Sequence, residues 1–137
     1  MSLGPLGGIS GTMITTSSGT NATVVQITTQ QAQLLVFSCG NNNGAARFLK
    51  LYDTAQVPLP NLLGQTSANA MTAIYQFEIP GNTAGAGSNL AILMGPPSMS
   101  GLQFSAGLAA AITANYAMSD ASGISGMNEC FAFIGYR

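Results

Sequence analysis

The sequence predicts an all-β protein with a single β-sandwich or jelly-roll-like domain. From residue 23 onward, short runs rich in β-branched and aromatic residues alternate with clusters of Gly, Asn, Pro and Ser. Turn signals recur about every 8–12 residues, which is typical of sandwiches and barrels and not of a βαβ fold. A length of 137 residues fits one domain.

The clearest strand pattern lies in residues 47–53. Leu49 and Leu51 point to one side, which we expect to be buried, and Lys50 lies on the other side, which we expect to be half exposed. We expect the Lys50 ammonium group to reach solvent along its apolar stem. The other predicted strands are residues 23–28, 32–39, 72–79, 90–94, 102–104, 108–113 and 130–136. In residues 106–118 apolar residues also recur at helical spacing, so a helix is an alternative there.

The first 20 residues differ from the rest of the chain. They are uncharged and rich in Gly and Ser, and they carry scattered apolar residues that a flexible linker would usually lack. We therefore expect an extended N-terminal arm, residues 1–20, followed by a β-sandwich domain, residues 21–137. The apolar side chains with which the arm would contact another protein are Leu3, Leu6, Ile9, Met13 and Ile14. The alternative is a frayed terminus without a function.

The composition excludes several classes of function. Only 5% of the residues are charged, and 3 Lys+Arg against 4 Asp+Glu give a net charge of −1. Nucleic-acid binding needs clustered Lys and Arg, so we expect no nucleic-acid partner. No apolar run reaches the roughly 18 residues of a membrane helix, and the N-terminus lacks the basic start of a signal peptide. We therefore expect neither membrane insertion nor export by that route.

Residues that could carry catalysis are sparse. There is no histidine, and no nucleophile elbow, phosphate-binding loop or metal-ligand spacing is present. Asp120 and Glu129 could form a carboxylate pair, but acids in Gly/Ser-rich loops are usually solvated surface residues. We expect no enzyme, no cofactor and no metal. Cys39 and Cys130 each border an apolar run, which predicts two buried cysteines, with a disulfide as the alternative if their strands are neighbours.

The low charge also bears on assembly. An average soluble domain has roughly 25% charged residues, so this chain must rely on Ser, Thr, Asn and Gln for solubility or cover part of its surface in an assembly. Permanent interfaces are depleted in charge and enriched in aromatic residues and Met. The chain has 7 Met, which is consistent with a covered surface.

Two segments of the sequence resemble a family of short structural proteins from tailed bacteriophages. Residues 44–52 read GAARFLKLY, where the family has an A-R-x-L-K-L-Y strand before a Pro-containing loop. Residues 101–109 read GLQFSAGLA, where the family has G-L-x-F-S-x-G-L-A before a final apolar strand. The likeness covers residues 31–136, and the chain departs from it in the Gly-rich arm and in the two-proline connection of residues 54–70.

The resemblance implies a β-rich virion protein of the capsid decoration or cement type. Such a protein would bind the outer face of the major capsid protein as a homotrimer and stabilise the head shell without catalysis, after synthesis in the host bacterial cytoplasm. The arm would then clamp onto the shell. One alternative is a tail or head-fibre component. Another, from the residues alone, is a carbohydrate-binding β-sandwich in which Tyr52, Tyr75, Tyr116 and Tyr136 form an exposed platform.

Overall fold

The computed structural model of the chain confirms the all-β class. It describes residues 9–16, 21–57, 72–82, 88–93, 101–120, 122–124, 126 and 128–137, of which 88–93 are described by their backbone alone. Within these ranges there are nine strands and no helix. The strands are β1 (Ser10–Thr15), β2 (Val25–Thr28), β3 (Ala32–Asn41), β4 (Arg47–Asp53), β5 (Tyr75–Ile79), β6 (Ser88–Leu93), β7 (Leu102–Phe104), β8 (Leu108–Thr113) and β9 (Cys130–Tyr136).

The strands form two antiparallel sheets with the topology of a jelly roll. The first sheet has the order β1-β9-β3-β6, with β7 pairing with the start of β3, and the second has the order β2-β8-β4-β5. The pairs β4–β5, β3–β6, β2–β8 and β1–β9 are nested inside one another along the chain. The chain is thus one long hairpin whose successive strand pairs alternate between the two sheets, as in jelly-roll domains.

The core lies between the two sheets and is formed by the inward side of the strands. Phe37 of β3 and Phe77 of β5 join the sheets, with ring centroids 4.5 Å apart. Leu49 and Leu51 of β4 and Ile134 of β9 are fully buried in the same cluster. Because burial of one such side chain is worth about 1.5–3 kcal/mol, this layer supplies the main driving force for folding.

Most strands lie where the sequence predicts them. The bounds of β4, β7, β8 and β9 coincide with the predicted ranges, and β2, β3, β5 and β6 differ only at their ends. The helix alternative for residues 106–118 is wrong, because residues 108–113 are the extended strand β8 in the middle of the second sheet. Of the predicted connection 54–70, only residues 54–57 are described, and they form no strand.

The predicted boundary between arm and domain does not coincide with the start of the sandwich. Six residues of the predicted arm form β1, which pairs with β9 along its full length. Ile14 is only 4% exposed and belongs to the main core, so it cannot contact another protein. A truncation after residue 20 therefore removes a strand of the first sheet. Leu3 and Leu6 lie outside the described residues.

Residues 44–52 and residues 101–109 meet in the second sheet. The first segment contains most of β4 and the second contains the start of β8, and these strands are neighbours, with Tyr52 opposite Ala109. Leu51 and Leu108, one from each segment, are both fully buried. Because both side chains are fully buried, apolar residues at these two positions stabilise the fold.

The residue after the first segment also holds the second segment in place. One oxygen of the Asp53 carboxylate accepts hydrogen bonds from the Ser105 backbone N–H at 3.0 Å and the Ser105 hydroxyl at 2.8 Å. The other oxygen accepts from the backbone N–H groups of Ala106 at 2.8 Å and Gly107 at 3.2 Å. The connection from β7 to β8 is thus organised around one carboxylate of β4.

We expect Asp53→Asn to lower the free energy of unfolding by about 1–2 kcal/mol at neutral pH. The carboxamide has one acceptor oxygen, and its NH₂ group would face backbone N–H donors, which leaves some of them unpaired. The value is modest because Asp53 is half-buried and partly screened by water. Urea denaturation followed by circular dichroism measures the difference, and Asp53→Ala serves as the variant without any acceptor.

The same difference in stability should shrink in acid. Burial raises the pKa of Asp53, but the hydrogen bonds from Ala106, Ser105 and Gly107 outweigh this and hold the pKa below its ordinary value. A carboxylate with a lowered pKa stabilises the fold above its ordinary pKa, and the effect is lost as the pH falls through the lowered value. Below about pH 4 the wild-type protein should therefore approach Asp53→Asn in stability. A difference that is constant with pH would contradict this account.

Candidate interaction surface

Most of the few charged side chains are engaged inside the domain. Arg47 of β4 and Glu129, which precedes β9, form an ion pair with 2.8 Å between Nη2 and Oε1, and both side chains are largely buried. The structure describes all of the 3 Lys+Arg and 4 Asp+Glu of the chain, and among them only Glu78 and Arg137 are exposed. The surface therefore offers no charged cluster to a partner.

The two acids considered as a carboxylate pair have separate partners. Glu129 binds Arg47, whereas Asp120 accepts hydrogen bonds from the Asn115 amide at 3.2 Å and the Ser122 hydroxyl at 2.8 Å. Burial raises the pKa of Asp120, but these hydrogen bonds and the nearby lysine lower it overall. The sequence predicts that both acids are solvated surface residues. This prediction is wrong, because each carboxylate is held in a largely buried polar cluster.

Lys50 of β4 is fully buried, and the prediction that its ammonium group reaches solvent is wrong. Nζ donates hydrogen bonds to the backbone carbonyls of Asn115 and Asp120, both at 3.2 Å, and of Ala117. Its three N–H groups thus have three carbonyl acceptors. Burial lowers the pKa of Lys50, and the Asp120 carboxylate, 3.9 Å away, acts in the opposite direction.

Residues 114–120, which we call the covering loop, close the outer face of the second sheet. The Tyr116 ring packs edge-on against Phe48 of β4, with centroids 5.7 Å apart. Met118 packs against a second buried cluster that contains Tyr52. The predicted half-exposed face of β4 is therefore buried, since a segment of the same chain already lies on it.

The four tyrosines do not form the platform considered for carbohydrate binding. Tyr52 is 2% exposed under the covering loop. Tyr75 and Tyr136 are half-buried against the main core. Tyr116 alone is exposed, and this removes the sequence basis for the carbohydrate-binding alternative.

In the part of the chain that the structure describes, no segment covers the outer face of the first sheet, and this face is apolar around β1 and β9. Four large hydrophobic side chains on it are exposed, Ile9 by 50%, Met13 by 61%, Phe131 by 39% and Phe133 by 40%, and we call them the apolar patch. Met13 lies directly opposite Phe133 in the pairing of β1 with β9. In the rest of the described chain, the exposed large hydrophobic side chains are Ile74 and Tyr116.

Glycines beneath the two rings make the apolar patch flat. A Cβ atom at Gly11 of β1 would lie 2.6 Å from Cζ of Phe133, and the ring of Phe131 covers Gly40 of β3 in the same way. Any side chain at these positions would collide with a ring. The two glycines therefore leave the space in which both rings lie flat on the sheet. A flat, ordered aromatic surface has little conformational entropy to lose when a partner binds.

The apolar patch has the composition of an interface core. Aromatic residues and Met are enriched in interface cores and charge is depleted. On this face β1, β3 and β9 carry no charged side chain, and the exposed Arg137, which follows β9 and donates a hydrogen bond to Gln33, borders the patch. Ile9 and Met13 belong to the predicted contact residues. Phe131 and Phe133 do not, because the predicted contact residues all lie in the first 20 residues. Their exposure depends on the absence of any described segment over the first sheet.

The cysteines are buried and free, as predicted, and the alternative disulfide is not formed. Cys39 lies opposite Ala132 and Cys130 opposite Asn41, so the two thiols are diagonal neighbours on adjacent strands. Burial raises the pKa of Cys39 to about 12 and that of Cys130 to about 11. Both thiols therefore stay protonated at neutral pH and are poor nucleophiles.

The described part of the chain contains no group of three or more side chains that could hold a metal ion. It also contains no helix long and apolar enough to span a membrane. Comparison with protein-family models and with curated protein sequences finds no match.

We expect Lys50→Met to lower the free energy of unfolding by about 3–5 kcal/mol, because it leaves three buried carbonyls and the Asp120 carboxylate without their cation. Urea denaturation at neutral pH measures this loss. The matched control is Arg137→Met, which removes an exposed cation and should change stability by no more than about 0.5 kcal/mol. If Lys50→Met is as stable as the wild-type protein, the covering loop does not depend on the buried ammonium group.

Proposed function

We propose that this chain is a non-enzymatic structural protein of a tailed bacteriophage particle, which binds the outer surface of the major capsid protein and stabilises the head shell. The observation that carries the proposal is the uncharged apolar patch on the open face of the first sheet. The kind of particle comes from the resemblance in residues 44–52 and 101–109. The jelly-roll topology agrees with it, since viral capsid domains often have this fold, but a fold alone does not establish a function.

The proposed mechanism is reinforcement of the shell by many modest apolar contacts. Covering apolar surface contributes about 25 cal/mol per Å² before the costs of association are subtracted. The rings of Phe131 and Phe133 already lie flat on the sheet, so they can contact a smooth capsid surface without reordering. Repeated over the shell, such contacts resist the pressure of the packaged DNA.

The proposal includes a location and partners. The protein is made in the host bacterial cytoplasm and ends on the surface of the virion, with the major capsid protein as its partner. Nucleic acid is not a partner in this proposal, since the exposed charged residues are one acid and one base, Glu78 and Arg137. The resemblance implies a homotrimer, and sedimentation velocity of the free protein distinguishes a trimer from any other oligomer.

The copy number in purified particles distinguishes the head from the tail. We expect about one copy for each major capsid protein, because reinforcement of a whole shell requires contacts over the whole surface. Quantitative mass spectrometry of particles gives this ratio. A few copies per particle would favour the alternative, a tail or head-fibre component. Absence from the particle would contradict both.

A double variant of the apolar patch, Phe131→Ser with Phe133→Ser, should weaken binding to capsids by about tenfold or more. Exposed aromatic anchors near the centre of an interface usually dominate its affinity. Cosedimentation with capsids that lack the protein measures the binding. Tyr116→Ser is the matched control, since it removes an exposed ring from the covering loop on the opposite side of the sandwich.

The salt dependence of the same binding tests its apolar nature. Because the patch carries no charged side chain and Arg137 at its border is the single exposed cationic side chain of the chain, added salt should change the affinity little. Release of the wild-type protein from capsids by moderate salt would contradict the proposed contact. Equal binding of the double variant and the wild-type protein would do so as well.

A further inference from the structure

The free edge of β1 lacks the features that usually protect an exposed strand. β9 pairs with one side of β1, and no described strand pairs with the other. The strand SGTMIT has no charged residue and no proline, and its six residues pair with β9 without a bulge. Natural sheets guard their edges with Lys, Pro or bulges, because an unguarded edge forms hydrogen bonds with other strands.

The hydrogen bonds between the end of β1 and the β9 side show which backbone N–H and C=O groups of β1 point to the free edge. The Thr16 N–H donates to the Cys130 carbonyl at 3.1 Å, and the Thr16 carbonyl accepts from the Asn128 N–H at 2.8 Å. Thr16 thus directs both of its groups toward β9 and its neighbourhood. Since the direction alternates along an antiparallel strand, every second residue of β1 directs its groups toward the free edge. These residues are Gly11, Met13 and Thr15.

We propose that β1 pairs antiparallel with β1 of a second copy of this chain, so that two first sheets join across a two-fold axis. With Met13 opposite the second copy's Met13, Gly11 lies opposite the second copy's Thr15, and the reverse pair follows by symmetry. The three pairs exchange about six backbone hydrogen bonds. A second copy is the occupant because the edge is complementary to itself, with a donor facing an acceptor at each position and no like charges in contact.

The joined sheet also extends the apolar patch. Residues that lie opposite each other in an antiparallel pair are on the same face, so the two copies present their patches side by side. Met13, the most exposed member of the patch, lies at the axis and is partly covered by its counterpart. The inference does not depend on binding to a capsid, but the dimer would offer a capsid a continuous surface about twice as long.

The pairing is isologous, so it closes after two copies. Sedimentation velocity of the purified full chain over a wide concentration range should therefore show a monomer in equilibrium with a dimer. A protein that is monomeric at every concentration, or that forms a trimer without a dimer, would overturn the inference. The capsid proposal would survive that result, because cosedimentation with capsids tests it separately.

Two variants test whether the edge itself is used. Met13→Lys places two like charges at the axis, and since Met13 is exposed, the fold should be retained while the dimer is lost. Thr15→Pro removes an N–H that points to the free edge and leaves the bonds to β9 intact, so dimerisation should weaken about tenfold. Tyr116→Lys on the covering loop is the control and should dimerise like the wild-type protein. Dimerisation of both edge variants at wild-type strength would contradict the proposal.

Cysteine cross-linking tests the register. In the proposed pairing, cysteines introduced by Met13→Cys face each other with Cα atoms about 5.5 Å apart, within the range of a disulfide. Oxidation should therefore link two Met13→Cys chains. Thr15→Cys is the matched control, because it faces the second copy's Gly11 and should not cross-link. The native Cys39 and Cys130 are buried and do not interfere. Cross-linking of Thr15→Cys instead would overturn the proposed register.

Discussion

The buried ammonium group of Lys50 holds the covering loop against the second sheet of this sandwich. Its three hydrogen bonds go to the backbone of the covering loop, and the carboxylate of Asp120 lies close by. A buried cation without such partners would cost several kcal/mol, so the loop and the lysine require each other. The loop closes the second sheet, whereas no described segment lies over the outer face of the first sheet.

The few charged side chains of the chain are mostly used inside the domain. Ion pairs and carboxylate clusters organise connections inside the domain, as Arg47 with Glu129 and Asp53 with the β7–β8 connection show. Few charges remain for the surface, where they would ordinarily oppose association. The outer face of the first sheet therefore presents rings and Met instead of charged side chains.

Most strands could be predicted from the sequence because apolar and polar residues alternate in them. The remaining features depend on contacts between residues that are distant in sequence, which a local pattern does not indicate. β4 and β9 alternate clearly, and their bounds match the predicted ranges. β1 does not alternate apolar and polar residues, so only its pairing with β9 reveals it. The burial of Lys50 depends on a loop 65 residues further along the chain. The flat rings of the patch depend on glycines of other strands, which no local pattern in β9 can indicate.

The nested pairing of strands also makes some strand pairs more costly to close than others. β4 and β5 are joined by one connection, whereas Ser10 of β1 and Tyr136 of β9 pair across almost the whole chain. The entropy cost of closing a loop grows with its length, and contacts of large sequence separation slow folding. The outermost pair is therefore the most costly to close in the unfolded chain. Since β1 and β9 carry the apolar patch, the patch is complete only when these two distant strands have paired, and an unfinished chain has no assembled patch.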